Sequence, residues 1–287
     1  MRIVVVGASG RIGTGLVAAL AAAGHEVVAA SRRSGVDAVT GDGLAGALSG
    51  ADAVIDVTRP TTYVDDEVRT FFESVTENLI TVELAEGVAH HLALSVVGCD
   101  RVPESGYLSA KAAQERLIAG SGMPYTIVRA TQFFEFVPHI TDSLTHDGVA
   151  RVPPGLLQPI AAMDVSVAIA ATAVERPLGG IIEAAGPERL PMAEFVQRVI
   201  DARGDEVEVV TDPGARYFGT RVLGDELVPG EGARLVEGAR LVEGARFGEG
   251  ARLGEGARFG EGARFGEGAR LVATTFDDWL GAHDLGR

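Results

Sequence analysis

A chain of 287 residues, 46% of them hydrophobic, is long enough to bury one large α/β core, or one core with an appended lobe. Its formal net charge of −15 argues against nucleic acid as a partner, and its single cysteine, Cys99, excludes an intrachain disulfide and gives no reason for an oxidising compartment. No stretch reaches the ~18 unbroken apolar residues of a membrane span, and the apolar run of "MRIVVVG" is too short for a signal peptide, so the expected location is the cytoplasm.

Arg2 to Val6 form a short β-branched run of the kind that makes a buried parallel strand. "GASGRIGTGLVAALAAAG" follows, with Ile12, Leu16 and Leu20 at helical spacing and Gly24 closing the helix. "EVVAAS" predicts a second strand and "ADAVIDVT" (51–58) a third. A long helix is expected from about Val64 to Glu86, then a strand over 90–97. Next come a helix carrying Tyr107 and Lys111, stopped by Gly120 and Gly122, and a strand in "PYTIVRA". This alternation over the first ~135 residues predicts an α/β fold, a doubly wound parallel sheet of the Rossmann type.

Beyond it, "PIAAMDVSVAIAATAVE" and "MAEFVQRVIDARG" read as helices, and "GGIIEAA" and "VEVVT" as strands, of a smaller α/β lobe over the carboxyl edge of the sheet. The expected organisation is a dinucleotide-binding domain over 1–155, a substrate lobe over 156–230, a repeat insertion over 231–272 and a last helix of the lobe over 273–287. The insertion is seven consecutive copies of E-G-A-R-[LF]-[VG], each with one Glu and one Arg, so the tract is neutral and the negative charge belongs to the remainder. An aliphatic or aromatic residue every sixth position suits a hexapeptide β-coil, but seven copies make barely about two coils. The Arg and Gly in every copy leave little to bury, and the near-identity of the copies points to tandem duplication of one loop segment. A surface excursion is therefore expected.

Gly7-x-x-Gly10-x-x-Gly13 stands between the first strand and the first helix. Gly7 permits the tight turn, Gly10 lets the backbone approach a pyrophosphate, and Gly13 allows close packing of helix on strand. The phosphate then rests on the free N–H groups of a helix N-terminus. An NAD site ordinarily places Asp or Glu about 20 residues on, against the ribose hydroxyls. Here the second strand ends in Ser31, Arg32 and Arg33, and two guanidiniums with a hydroxyl suit a 2′-phosphate. The expected cofactor is NADP(H), in preference to NAD(H).

Lys111 is the only lysine, and it stands four residues after Tyr107, on the same helical face. A phenol with pKa near ~10 transfers protons at neutral pH only when a nearby cation lowers it, and an ammonium one turn away can do so. Ser95 ends a strand at the edge where α/β folds place their crevices.

"GASGRIG", the spacing of Ser95, Tyr107 and Lys111, and "PYTIVRATQFFEF" resemble the short-chain dehydrogenase/reductases, and more narrowly their atypical, NmrA-like branch. The stretch from "LSVVGCDRVPESGYLSAKAAQERL" through "QFFEF", "PIAAMDV" and "AAGPE" is similar to that branch, so the likeness covers about 1–230 and the terminal "TTFDDWL", leaving only the hexapeptide tract foreign. The resemblance implies that Tyr107 donates the proton, that Lys111 binds the nicotinamide ribose and tunes Tyr107, and that Ser95 orients the carbonyl. It also implies that Gly7, Ser9, Gly10, Arg11 and Ile12 form the pyrophosphate turn, that Thr58 lines the cofactor, and that the turn from Ala130 to Gln132 faces the nicotinamide. Some members of this branch bind the dinucleotide as regulators or redox sensors without turnover.

His139, Asp142 and His146 share one helical face, which reads as a solvated polar face rather than a metal site. His90 and His91 point to opposite faces of their strand and cannot form one site. Phe133, Phe134 and Phe136 either wall an apolar pocket or pack the core. The expected function is an NADP(H)-dependent oxidoreductase reducing a carbonyl, enone or quinone of a small apolar molecule. The alternatives are a dinucleotide-binding sensor and an isomerase or epimerase using bound cofactor. A small molecule is the expected partner, with self-association left open.

Overall fold

The computed structural model describes residues 1–230, 235–237 and 274–285. β1 (Arg2–Val6), α1 (Arg11–Ala22), β2 (Glu26–Ala30), α2 (Leu44–Leu48), β3 (Ala53–Asp56), α3 (Asp65–Glu86), β4 (His90–Val96), α4 (Gly106–Gly120) and β5 (Tyr125–Ala130) alternate as the sequence predicts. α5 (Val137–Leu144), β6 (Thr145–His146), β7 (Val149–Val152) and β8 (Leu156–Leu157) follow. The chain continues through α6 (Ala162–Ala173), β9 (Gly180–Ala185), β10 (Leu190–Pro191), α7 (Met192–Arg203), β11 (Glu208–Thr211), β12 (Leu235–Glu237) and α8 (Phe276–Ala282).

The main sheet is parallel, in the order β12-β9-β5-β4-β3-β1-β2. Because β1 lies between β2 and β3, the chain winds both ways from it, and the crevice at the carboxyl ends opens where the winding reverses. Both faces of the sheet are covered, as continuous apolar strands require. Ile3, Val5, Ile55 and Leu92 pack with Leu16 of α1 and Val165 of α6. Val4, Val6 and Val54 pack on the opposite face with Leu44, Val75 and Leu79.

"GGIIEAA" is not a lobe strand. β9 pairs in parallel with β5, from Thr126↔Gly180 to Ala130↔Ala184, and so extends the main sheet. α6 belongs with it, lying against α1 with Ser166 Oγ donating to Ile12 O at 3.1 Å. The expected boundary at 155/156 therefore cuts through the doubly wound unit. An apolar strand reads the same whether it joins the main sheet or a neighbouring one, and only its pairing distinguishes the two.

The lobe consists of the sheet β11-β7-β6, the pair β10-β8, and α5, α7 and α8. Its core holds Phe134, Phe195, Phe276 and Trp279, with the Phe276 and Trp279 rings stacked 5.8 Å apart. Phe134 is thus core, not pocket wall. At the start of the repeat tract, β12 pairs with β9 from Leu235↔Glu183 to Glu237↔Ala185, so Leu235–Glu237 add an edge strand to the sheet. Residues 231–234 and 238–272, the rest of the expected excursion, lie outside the described residues.

Candidate functional site

The glycine turn between β1 and α1 is tied to β2, with the N–H groups of Gly7 and Ala8 both donating to Ala30 O, at 3.0 and 3.2 Å. Gly7 has φ +89°, and a Cβ there would stand 2.8 Å from Val57 O. A Cβ on Gly13 would overlap Gly7 O and Ala8 Cα, so α1 could not lie this close to β1 with any other residue. Gly10 is the N-cap of α1, no side chain caps the helix, and its first turn holds no acid. The first N–H groups of α1 therefore remain for an anion. Ser9 and Arg11 are exposed beside them, whereas Ile12 is buried in the core and offers only its backbone.

Beyond β2, Ser31 N donates to Ser34 Oγ at 2.9 Å, closing a short 3₁₀ turn over Arg32–Ser34. Arg32 and Arg33 are exposed and form no ion pair among the described residues. They are free cations beside the glycine turn.

On the other side of the crevice, Thr58 Oγ1 and Gln132 Oε1 are buried without a hydrogen-bond partner. Orphaned buried polar atoms are rare and call for a ligand or water. The Ala130–Gln132 turn is held by Thr131 N donating to Ala184 O at 2.9 Å and by Ile160 N donating to Gln132 O at 2.9 Å. Ala130 is itself buried, and its carbonyl accepts from Val97 N at 2.9 Å. A capless helix N-terminus and two free guanidiniums fit the phosphates of a dinucleotide, and the orphaned Thr58 hydroxyl and Gln132 amide oxygen fit its hydroxyl and amide donors.

The three residues expected to carry chemistry are not joined by hydrogen bonds. Ser95 Oγ is buried 3.9 Å from Cys99 Sγ. Cys99 Sγ in turn donates to Glu115 Oε1 at 3.3 Å, and Arg129 grips Glu115 with Nε–Oε1 at 2.8 Å and Nη2–Oε2 at 2.6 Å. Burial, then the Glu115 carboxylate, pushes the Cys99 thiol up to about 12.

Lys111 is 3% exposed. Its Nζ donates to Leu94 O at 2.7 Å and to Gln114 Oε1, and stands 4.4 Å from the centroid of the Phe72 ring. Burial pulls it below the ordinary lysine value, against the carboxylates of Asp56 and Glu115.

Tyr107 is half-buried, its ring 5.8 Å from those of both Tyr63 and Phe72. Burial pushes its phenol above the ordinary tyrosine value, the Tyr63 phenol adds to this, and the Arg59 guanidinium counters it. Tyr217, from the lobe, is raised by burial and then by the Tyr107 phenol. Three of the four tyrosines therefore meet at this point, with Arg59 as the cation beside Tyr107. An aromatic wall continues from it. Tyr217 meets Phe218 edge-on at 4.9 Å, and Phe218 stacks on Phe136 at 5.5 Å and on His139 at 5.6 Å. Phe218 is 45% exposed and holds a φ of +45°, a conformation unfavourable for an aromatic residue.

Sequence reasoning missed Arg59, Tyr63, Gln114 and Tyr217. The i, i+3 spacing of Lys111 and Gln114 was a signal available for one of them, but nothing local marks Tyr217. Asp142 pairs with Arg203 at 2.5 Å and His139 stacks on the wall, and among the described residues no group of three His, Cys, Asp or Glu could hold a metal. His90 Nε2 lies 2.9 Å from Thr126 Oγ1, and His91 Nδ1 faces Glu83, on opposite faces of β4.

Residues 7–148 match the NAD(P)H-binding family. No curated protein matches the chain. Among solved structures, the chain is similar to a UDP-glucose 4-epimerase of Thermus thermophilus solved with NAD (20% identity, TM-score 0.61, covering 80% of this chain and 91% of that one). A nucleoside-diphosphate-sugar epimerase of Staphylococcus aureus matches at 19% identity and TM-score 0.58, covering 74% and 80%. An NADPH-dependent quinone oxidoreductase of Escherichia coli, complexed with NADPH, matches at 20% and 0.56, covering 74% and 78%. At these identities the likeness is one of fold.

Proposed function

We propose that the protein is an NADP(H)-dependent oxidoreductase, an NmrA-like member of the short-chain dehydrogenase/reductases, a reading that the match of residues 7–148 to the NAD(P)H-binding family supports. Its substrate is a small apolar carbonyl, enone or quinone. The observation that carries the reaction is the half-buried Tyr107 phenol, packed beside Tyr63 and Phe72 and coupled to Tyr217, from which the wall of Phe218 and Phe136 continues. When bound, NADPH supplies a hydride. Tyr107 Oη gives its proton to the substrate oxygen, and the Arg59 guanidinium stabilises the phenolate left behind. Phe218 and Phe136 exclude water and favour a flat, uncharged ring.

Arg32 and Arg33 support NADP(H) over NAD(H), since a 2′-phosphate would give these free cations a charge-assisted partner. Steady NADPH consumption with a panel of carbonyls and quinones tests the reading. A second reading, a dinucleotide-binding sensor without turnover, draws on the separation of Ser95, Tyr107 and Lys111. Tight NADPH binding with no consumption across the panel would favour it.

A further inference from the structure

We infer that Asp56 and Gln114 are positioning residues that tie the Lys111 ammonium to the backbone of Thr58, so that the lone lysine braces the crevice from behind without touching the dinucleotide. The link runs through three buried side chains to the half-buried Thr58. Lys111 Nζ donates to Gln114 Oε1, Gln114 Nε2 donates to Asp56 Oδ2 at 2.9 Å, and Thr58 N donates to Asp56 Oδ1 at 2.8 Å. Lys111 and Asp56 are each 3% exposed and Gln114 is 1% exposed.

The orientation of the Gln114 amide is fixed by chemistry. Reversed, it would set NH₂ against an ammonium and an oxygen against a carboxylate. The link is therefore an ion pair with one amide inserted, and each charge supplies the partner whose loss would strand the other in the interior.

The ammonium has three donors. One meets Leu94 O, one meets Gln114, and the Phe72 ring covers the remaining side. No donor is left for a ribose hydroxyl. A guanidinium is a planar fork and could not take these three directions, which explains a lysine here in a chain that otherwise uses arginine. At the far end of the link, just past the carboxyl end of β3, Thr58 carries the orphaned Oγ1. Holding the Thr58 amide holds that hydroxyl.

The inference rests on the cofactor reading for its purpose but not for its mechanics, and the test separates the two. In the cofactor-free protein, amide exchange at Thr58 is followed by NMR in wild type, Gln114→Met, Lys111→Met and the double variant. NADPH affinity is measured on the same four proteins by fluorescence titration. Each single change should quicken Thr58 exchange and weaken NADPH about tenfold, and the double should be no worse than either, because all three break one link. If Gln114→Met does not fold, Gln114→Asn shortens the bridge while keeping it polar, with the same expectation. Additive losses, about a hundredfold in the double, would mean that Lys111 meets the dinucleotide directly and would overturn the link. So would a Thr58 amide that does not respond. A wild-type protein that binds neither NADPH nor NADH, with Thr58 still responding, would overturn the cofactor reading and the purpose given to the link.

Discussion

Tyr107 and Lys111 share the ring of Phe72: the phenol meets it edge-on, 5.8 Å between centroids, and the ammonium stands 4.4 Å from the same centroid. One helical turn separates them on α4, yet the ring lies in contact with both and their polar partners differ. The cation that counters the rise of the Tyr107 phenol is the Arg59 guanidinium, three residues beyond β3. The chemistry of the phenol and the packing of the ammonium are therefore separable by mutation.

Tyr107→Phe should remove most turnover, roughly 10²- to 10⁴-fold, while NADPH affinity stays near that of wild type, because only the transferable proton is lost. Arg59→Met should move the ionisation of Tyr107 to still higher pH, read from tyrosinate absorbance, since it removes the one influence that opposes burial and Tyr63. Full activity in Tyr107→Phe would sink the catalytic role and bring the sensor reading forward.

Cofactor choice follows from Arg32 and Arg33. NADPH should bind at least about tenfold tighter than NADH, ~1.4 kcal/mol, modest for a charge-assisted phosphate contact. Arg32→Ala and Arg33→Ala should each erode that difference, mainly through weaker NADPH binding. Equal affinities for the two dinucleotides in wild type, by calorimetry, would end the argument for NADP(H).

Much of this frame is legible in the sequence, and the losses have physical causes. The glycine turn is legible because Gly13 answers a clash within the turn itself, with Gly7 and Ala8, and because Gly7 bends the chain at a φ of +89°. His90 and His91 separate to opposite faces because strand alternation is a local rule. The hydrogen-bond partner of Lys111 is not legible because residues at i−4 and i+3 both share its face, and spacing alone does not choose between Tyr107 and Gln114. Asp56 and Leu94, which complete the choice, come from other strands. Tyr217 reaches Tyr107 only through the packing of the lobe, and β9 joins the main sheet only through pairing with β5. Neither leaves a mark in its own stretch of sequence.

Cys99 should be inert in the native state. It is 1% exposed, and burial with Glu115 pushes its thiol up to about 12. At pH 8 roughly one thiol in ten thousand is then ionised, and the thiolate is the reactive form. A disulfide-exchange reagent should label the unfolded protein within minutes and the folded protein only as fast as it opens. Rapid labelling of the folded protein would show that the Ser95–Cys99–Glu115 contact is open in solution.

The last expectation concerns pH and the Glu83–His91 pair, which spans α3 and β4. His91 Nδ1 is 2.9 Å from both carboxylate oxygens of Glu83, and the two side chains are 1% and 0% exposed. Burial opposes charge on His91, but the Glu83 carboxylate, in contact, and that of Asp56 outweigh it, so the folded pKa lies above the ordinary 6.5. A group whose pKa is raised by folding binds its proton more tightly in the native state. Its contribution to stability is therefore complete below pH 6.5 and is lost as pH rises through the folded value. Glu83→Gln removes the charge that holds the proton, leaving burial to dominate, so the variant should be least stable relative to wild type at low pH. Breaking a buried pair of this kind costs about 3–5 kcal/mol. Denaturant midpoints measured from pH 5.5 to 9.5 should show wild type approaching the variant as pH rises. Two parallel curves would mean that His91 is neutral in the folded protein throughout, and that the pair is a hydrogen bond without an ion pair.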